Sequence, residues 1–402
     1  MSARSDQSLG TATLEDGGGR VDFPCLRRER REKCLAEMAR QEIDFLVLGR
    51  EGNGRYVCGA RRLWLAGARP FAPRCILSRE SREVHLLTLS DDDVPAEIPR
   101  RNLFGGSWNP ANFAGALDAI PGFAAARRIG VDGMSPFFDR LIRSAAPKAE
   151  IVDGEALMRS VRRRKLPREI ACIETAIAIA EGALAETLRH VRAGVSERAL
   201  AGRYAEAITR YGVTIPAFEG TFCTTPREST YGEAAPLRQL SDTRVLNDGD
   251  LVAASVGVLY GGYEGSLART WPCAPGRTVS AAERELSSRW RGLWQSLAAE
   301  LRPGQSAVDL VSAHQRSGEP LPPLPIAHGV GLGVEAPVIG RGFAFESEPF
   351  ETGMVLAVQG YVWRAGTGGY LAKEIVHITA DGYEQLTRHS HGPLAEADSL
   401  SR

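Results

Sequence analysis

The chain has 402 residues, a formal net charge of zero and an apolar content of 43%. This length is enough for two domains, each with a core of its own. The balanced charge gives no electrostatic reason to expect nucleic acid or a membrane surface as a partner. Seven cysteines without a C-x-x-C pair favour reduced thiols, and hence a cytoplasmic protein, over a disulfide framework.

The first half of the chain predicts an α/β domain behind a polar leader. Residues 1–22 are polar and glycine-rich, and we expect them to be disordered. From residue 23 to residue 160, helical and strand-like patterns alternate, which is typical of α/β layers. The predicted helices lie at 26–41 and 136–145, and the predicted strands at 44–48, 74–77, 84–89, 128–131 and 150–152.

The second predicted domain, residues 161–395, opens on a basic hinge, SVRRRKLPREI, that leads into a long predicted helix at 167–191. It contains a weak internal repeat, in which 184–212 parallels 293–318. Each copy has a helix, a glycine that suits a helix end, a serine that can cap the next helix, and a second helix. The repeat indicates that one helix pair occurs twice.

Four glycine-flanked motifs in this second domain are candidates for a common site. The first is GDLVAASVGVLYGGYEGSLARTWP at 249–272, a hairpin frame with a GD pair, a GY pair and an RT pair. The others are AHGVGLGVEAP at 327–337, GMVLAVQG at 353–360 and GGYLAKEIVHIT at 368–379.

Together with the hinge, these motifs resemble the pita-bread family, which includes methionine aminopeptidase, aminopeptidase P, prolidase and creatinase. The resemblance implies an α/β (α+β) fold, with a creatinase-type N-terminal domain followed by a pseudo-twofold pita-bread domain. The internal repeat is expected from such a domain. The resemblance also implies a homodimer, in which the partner's N-terminal domain lies near the pocket.

The resemblance further implies metal ligands at five positions, which here hold Ser255, Ser266, His328, Gln359 and Lys373. The peptidases of the family carry carboxylates at four of these positions, and only His328 keeps the implied side chain. Neutral hydroxyls are poor ligands for hard divalent ions, and a lysine ammonium repels them. We therefore expect no metal and no other cofactor, and we do not expect metallopeptidase activity.

Creatinase, which cleaves a C–N bond without metal, suggests a metal-independent hydrolase or lyase. The substrate would be a small amino-acid-like or carboxylate-bearing molecule, and the reaction a hydrolysis, an elimination or a rearrangement in a specialised biosynthetic pathway. His328 would be the general acid/base, Lys373 would supply a fixed positive charge, and Tyr231 is a third catalytic candidate. The predicted substrate-binding residues are Ser255, Ser266, Gln359, Glu374, Arg227, Glu228, Glu335, Arg61 and Trp64.

Two of these assignments depend on local structure that the sequence leaves open. Adjacent strand residues face opposite sides, so a one-residue slip would bring Glu374 instead of Lys373 into the pocket. The loop 218–240 lacks the histidine that creatinase carries there, which leaves Tyr231, Arg227 and Glu228 as its polar candidates. Arg227 could clamp a carboxylate through its guanidinium fork.

Two alternative functions stay open at this point. The first is a catalytically inactive pita-bread domain that serves as a binding module. The second is an Xaa-Pro metallopeptidase whose metal ligands are displaced from their usual positions.

Overall fold

A six-stranded sheet forms the centre of the N-terminal half, and an eight-stranded sheet forms the centre of the C-terminal half. The computed structural model describes residues 21–60, 75–88, 94–105, 110–213, 216–229, 235–273, 278–343 and 348–395. The chain divides into two compact units between Arg162 and Arg163, inside the predicted basic hinge. Most of the predicted leader, residues 1–20, lies outside the described residues.

The N-terminal unit is a mixed sheet with helices. Its strands follow the order β4-β3-β2-β1-β5-β6, with β1–β5, β5–β6 and β3–β4 parallel and the other pairs antiparallel. The elements are α1 (Phe23–Arg40), β1 (Phe45–Leu48), α2 (Glu51–Cys58), β2 (Cys75–Ser78), β3 (Val84–Thr88), a 3₁₀ turn (Arg100–Asn102), β4 (Leu103–Gly105), α3 (Pro110–Ala119), a 3₁₀ turn (Phe123–Ala125), β5 (Arg128–Val131), α4 (Pro136–Ala145), β6 (Glu150–Asp153) and α5 (Gly154–Arg163).

Local signals explain where α1 begins and what the sheet buries. The Asp22 side chain accepts a hydrogen bond from the Cys25 amide at 2.9 Å, and a proline in the first turn favours the start of a helix. Helix α1 therefore begins three residues before the predicted position. Phe45, Val47 and Ile129 from neighbouring strands share one buried cluster with residues of α3 and α4.

The C-terminal unit is built from two related halves. Its strand order, β11-β10-β12-β13-β9-β8-β7, places the hairpins β8–β9 and β12–β13 side by side at the centre, and β14 pairs with β13. The elements are α6 (Pro167–Leu188), α7 (Glu197–Arg210), β7 (Thr221–Thr224), β8 (Leu251–Tyr260), β9 (Tyr263–Pro272), α8 (Ala281–Ala298), α9 (Ala307–Arg316), β10 (Ala327–Gly331), β11 (Gly333–Ile339), β12 (Val355–Arg364), β13 (Gly368–Ile378) and β14 (Tyr383–Gln385). The repeated helix pairs are α6–α7 and α8–α9.

Helices cover one face of the large sheet, which we call the back face. Leu356 and Ala372 of the sheet lie in one core cluster with Leu293 of α8. On the same face, Gly265 lets α6 approach closely, because a Cβ atom there would lie 2.2 Å from the Ile177 nitrogen. The opposite face, which we call the front face, is therefore the one on which a site can form.

The described part of the chain contains no helix that is both long enough and apolar enough to span a membrane.

Candidate functional site

The strand register brings all five motif positions to the front face. Residues directly opposite each other in an antiparallel pair point to the same side of the sheet. Lys373 lies opposite both Ala268 and Gln359, and Ser255 also lies opposite Ala268. Ser266, which lies opposite Gly257, and His328, which lies opposite Ala357, point to the same side of the sheet because residues two apart in a strand share a face.

Glu264 is a further polar residue of this face, which the motifs in the sequence did not indicate. The Ser266 hydroxyl donates to Glu264 Oε1 at 2.8 Å, and His328 Nε2 lies 3.8 Å from the same oxygen. Positions 264 and 266 are two apart in a strand and so share a face. The strand alternation alone could therefore have found this carboxylate.

The surroundings of Glu264 keep it ionised. Burial raises the pKa of its carboxyl, but His328, Lys373 and the Ser266 hydroxyl lower it, and the net result is a pKa below the ordinary value. His328 lies at a register shift in the β10–β11 pairing, and its Nε2 is buried without a hydrogen-bond partner among the described residues. Bulges of this kind re-aim side chains next to active sites.

Lys373 is 4% exposed, and its Nζ lies 4.5 Å from the centroid of the Phe218 ring. Burial lowers the pKa of Lys373 to about 8, although the attraction of Glu264 raises it. The contact with the ring face is a cation–π interaction. The site thus holds one lysine and one carboxylate beside a histidine.

Gln359 and Ser255 complete the front face in different ways. The side-chain amide of Gln359 donates to the Pro325 carbonyl at 2.5 Å and so fixes the chain that enters β10. Ser255 is half-buried, and its carbonyl accepts a long hydrogen bond of 3.5 Å from the Thr221 hydroxyl.

The expectation that Glu374 binds substrate is corrected by its position on the back face. Its carboxylate contacts Arg269 and also accepts hydrogen bonds from Thr387 and Gln385, while His391 Nε2 lies 2.9 Å from it. Strand β13 pairs with β12 without a register shift, so Lys373 and Glu374 point to opposite sides. Glu374 therefore belongs to a buried ion pair.

Glu335 is also engaged elsewhere, in a buried ion pair with Lys165 at 2.9 Å, and it accepts from the Leu332 amide. Because Lys165 belongs to the predicted hinge, this pair holds the hinge against β11. The sequence predicted a substrate contact for Glu335, and the structure gives it this packing role instead.

Arg227 and Glu228 lie away from the front-face cluster. Both are exposed, and Arg227 donates to the Gly249 carbonyl, while its own carbonyl accepts from the Gly366 amide beside the β12–β13 turn. Lys373 lies several residues further along β13, and at about 3.3 Å for each residue this is roughly 17 Å from Gly368. The predicted carboxylate clamp by Arg227 is therefore not part of this cluster.

Three further candidates, Arg61, Trp64 and Tyr231, lie outside the described residues.

The two-hairpin sheet, the helices on its back face and the motif residues on its front face define a two-domain protein of the pita-bread type. The chain belongs to the metallopeptidase family M24, whose model matches residues 171–380. Residues 30–164 match the creatinase/prolidase N-terminal domain.

Individual relatives cover nearly the whole chain. The Xaa-Pro dipeptidase of Pyrococcus horikoshii is 24% identical over 377 residues, which span 90% of this chain and 98% of that protein. A creatinase from a Bacillus species is 25% identical over 411 residues, spanning 95% and 96%. The crystal structure of the prolidase from Pyrococcus horikoshii has the same fold, with a TM-score of 0.71 at 21% identity, and the match covers 90% of this chain and 99% of that one.

These comparisons contradict the hypothesis of a metal-independent hydrolase or lyase. The family is one of metallopeptidases, and the Xaa-Pro dipeptidase of Pyrococcus horikoshii matches 90% of this chain. The prediction against metallopeptidase activity is therefore wrong.

The donor set of this chain nevertheless does not fit the metal centre that the family implies. Among the residues that the structure describes, no three or more His, Cys, Asp or Glu side chains are grouped so that they could hold a metal ion. Of the implied ligands, Ser255, Ser266 and Gln359 are neutral, and Lys373 is cationic. Hard divalent ions prefer carboxylate oxygens, and a lysine ammonium at a ligand position would repel them.

Proposed function

We propose that this chain is a hydrolase of the Xaa-Pro dipeptidase type, which acts on the amide bond of small dipeptide-like substrates at the front face. The match to an Xaa-Pro dipeptidase along 98% of that protein's length supports the substrate class. The observation in the structure that carries the proposal is the pair formed by Glu264 and His328, of which His328 is the one implied ligand position that keeps the family's side chain.

The chemistry of this pair suits proton transfer. Histidine exchanges protons near neutral pH, and His328 Nε2 lies 3.8 Å from the Glu264 carboxylate. Because Glu264 is held ionised, it places a negative charge beside the imidazole of His328. The Ser266 hydroxyl fixes the carboxylate at 2.8 Å. His328 would accept a proton from attacking water and return it to the leaving amine.

The test is release of free proline from a panel of Xaa-Pro dipeptides by the full-length protein. One arm contains added manganese and the other a chelator. His328→Ala should lower the rate by about 100-fold or more, and Glu264→Gln should shift the pH profile. The matched control is His377→Ala, since His377 Nδ1 lies 3.9 Å from Glu384 at the edge of the sheet. Absence of proline release in both arms would refute the hydrolase.

A second candidate function is a dipeptide-binding module without turnover. It is favoured by the neutral or cationic side chains at four of the five implied ligand positions, Ser255, Ser266, Gln359 and Lys373. Saturable binding of an Xaa-Pro dipeptide in calorimetry, without any proline in either arm of the assay above, would select this function over the hydrolase.

We also propose that the protein works as a homodimer in the cytoplasm. The resemblance to creatinase-like dimers supports the dimer, and light scattering on the purified protein tests it. All seven cysteines are free thiols, which supports a reducing compartment. Fractionation of the native cells would test that assignment.

A further inference from the structure

The Lys373 ammonium has unused hydrogen-bonding capacity. It contacts the Phe218 ring, yet within the described part of the chain it donates no hydrogen bond, although it is 4% exposed. An ammonium carries three N–H donors, and burying them without acceptors is costly. The N–H groups of Lys373 are therefore available to an acceptor that reaches the front face from outside the chain.

The ring beneath the ammonium is built into the sheet. Phe218 Cε1 lies 2.8 Å from the place where Gly257 would carry a Cβ atom, so glycine at 257 makes room for the ring. The Ala217 amide donates to the Gly257 carbonyl at 3.1 Å and anchors the segment that carries Phe218. The cation–π contact is therefore a fixed part of the front face.

Within the cluster, the Lys373 ammonium is the group with donors available for an anionic occupant. Glu264 offsets the lysine charge, but its Oε1 already accepts from Ser266 and faces His328. Glu264 Oε1 thus already contacts two side chains, whereas the N–H groups of Lys373 have no hydrogen-bond acceptor among the described residues. The chain has only four lysines among its 49 basic residues, and a lysine ammonium is a compact point charge that fits where a planar guanidinium does not.

We propose that Lys373, held over the Phe218 ring, binds the carboxylate group of the substrate. The substrate class is then dipeptide-like molecules with a free C-terminal carboxylate, and peptides whose carboxyl end is blocked are excluded. This inference rests on the proposed function, because it assigns the same front-face site to that substrate. A hydrogen bond between an ammonium and a carboxylate is charge-assisted and roughly twice as strong as a neutral one.

The experiment compares two compounds that differ only in this charge. N-acetylproline and N-acetylprolinamide are titrated into the full-length protein in a calorimeter. Wild-type protein should bind the acid about tenfold or more tightly than the amide. Lys373→Met should bind both equally, Phe218→Leu should weaken binding of the acid only, and Lys148→Met, which removes an exposed lysine charge, should behave as wild type.

Equal affinity of wild-type protein for acid and amide would overturn the inference, as would an acid preference that survives in Lys373→Met. The same holds if neither compound binds. In each of these cases proline release from dipeptides reports separately on the proposed function, so the two failures are distinguishable. A thermal unfolding curve of each variant shows that it is folded.

Discussion

Lys373→Met should make the protein more stable, although it removes a residue of the candidate site. Burial lowers the pKa of Lys373 from 10.5 to about 8. At about 1.4 kcal/mol for each unit of pKa, keeping the buried ammonium charged costs the folded state about 3 kcal/mol. Methionine fills a similar volume without a charge. Since Glu264 loses an attractive partner, the net gain in unfolding free energy should be about 1–3 kcal/mol.

The gain should depend on pH with a defined sign. In the folded state Lys373 releases its proton near pH 8, whereas in the unfolded chain it keeps the proton up to about 10.5. Between these values the unfolded state binds more protons, so the stability of the wild type rises with pH. Below the folded-state pKa, the wild type bears the full cost of burying the charged ammonium. The advantage of Lys373→Met should therefore shrink as pH increases from about 8 to 10.

Urea unfolding of both proteins at about pH 7 and about pH 10 measures this difference. The matched control is Lys165→Met, because Lys165 is also buried but forms an ion pair with Glu335 at 2.9 Å. Removing one partner of a buried pair costs about 3–5 kcal/mol, so this control should change stability in the opposite direction. If Lys373→Met were less stable than wild type at pH 7, or if its advantage did not change with pH, the reasoning would be refuted.

Two further variants probe the back face. Glu374→Leu should cost about 3–5 kcal/mol in urea unfolding, because it leaves the fully buried Arg269 guanidinium uncompensated. Burial raises the pKa of Glu374, but His391 and Arg269 lower it by more, so the net pKa lies below the ordinary value. The greater stability of the wild type over Glu374→Leu should therefore be lost as pH falls through the folded-state pKa. Equal acid sensitivity of both proteins would contradict the assignment. Gly265→Ala should cost more than about 4 kcal/mol or abolish soluble expression, because its Cβ would lie 2.2 Å from α6. Its control, Gly115→Ala, has open space around the new methyl group and should be neutral or slightly stabilising in thermal unfolding.

Much of the fold follows from patterns that the sequence displays. The glycine pair 261–262 adopts positive φ at both residues, as the tight turn of a two-residue hairpin requires, and the strands on either side run over ten residues each. The predicted cap of α9 is formed, with the Ser306 amide donating to the Asp309 carboxylate at 2.8 Å. Helix α2 was not predicted, because its two glycines lower the helix propensity of an eight-residue segment.

The candidate site was only partly predictable. The motifs bring their five positions to one face, since the sheet alternation is regular over long strands. Glu264 could have been found by the same alternation. By contrast, the pairing of Glu335 with Lys165 joins residues far apart in the chain, and no local pattern encodes it. The position of Arg227 depends on a loop whose path is set by hydrogen bonds to two turns.

The buried guanidinium of Arg269 mechanically connects the C-terminal segment to the strand that presents Lys373. It donates to the Lys373 carbonyl at 3.0 Å and to the His389 carbonyl at 2.8 Å. A force applied to the C-terminal segment would therefore reach the backbone of Lys373 through this guanidinium. A tether that pulls on the segment around His389 would thus load the strand that presents Lys373.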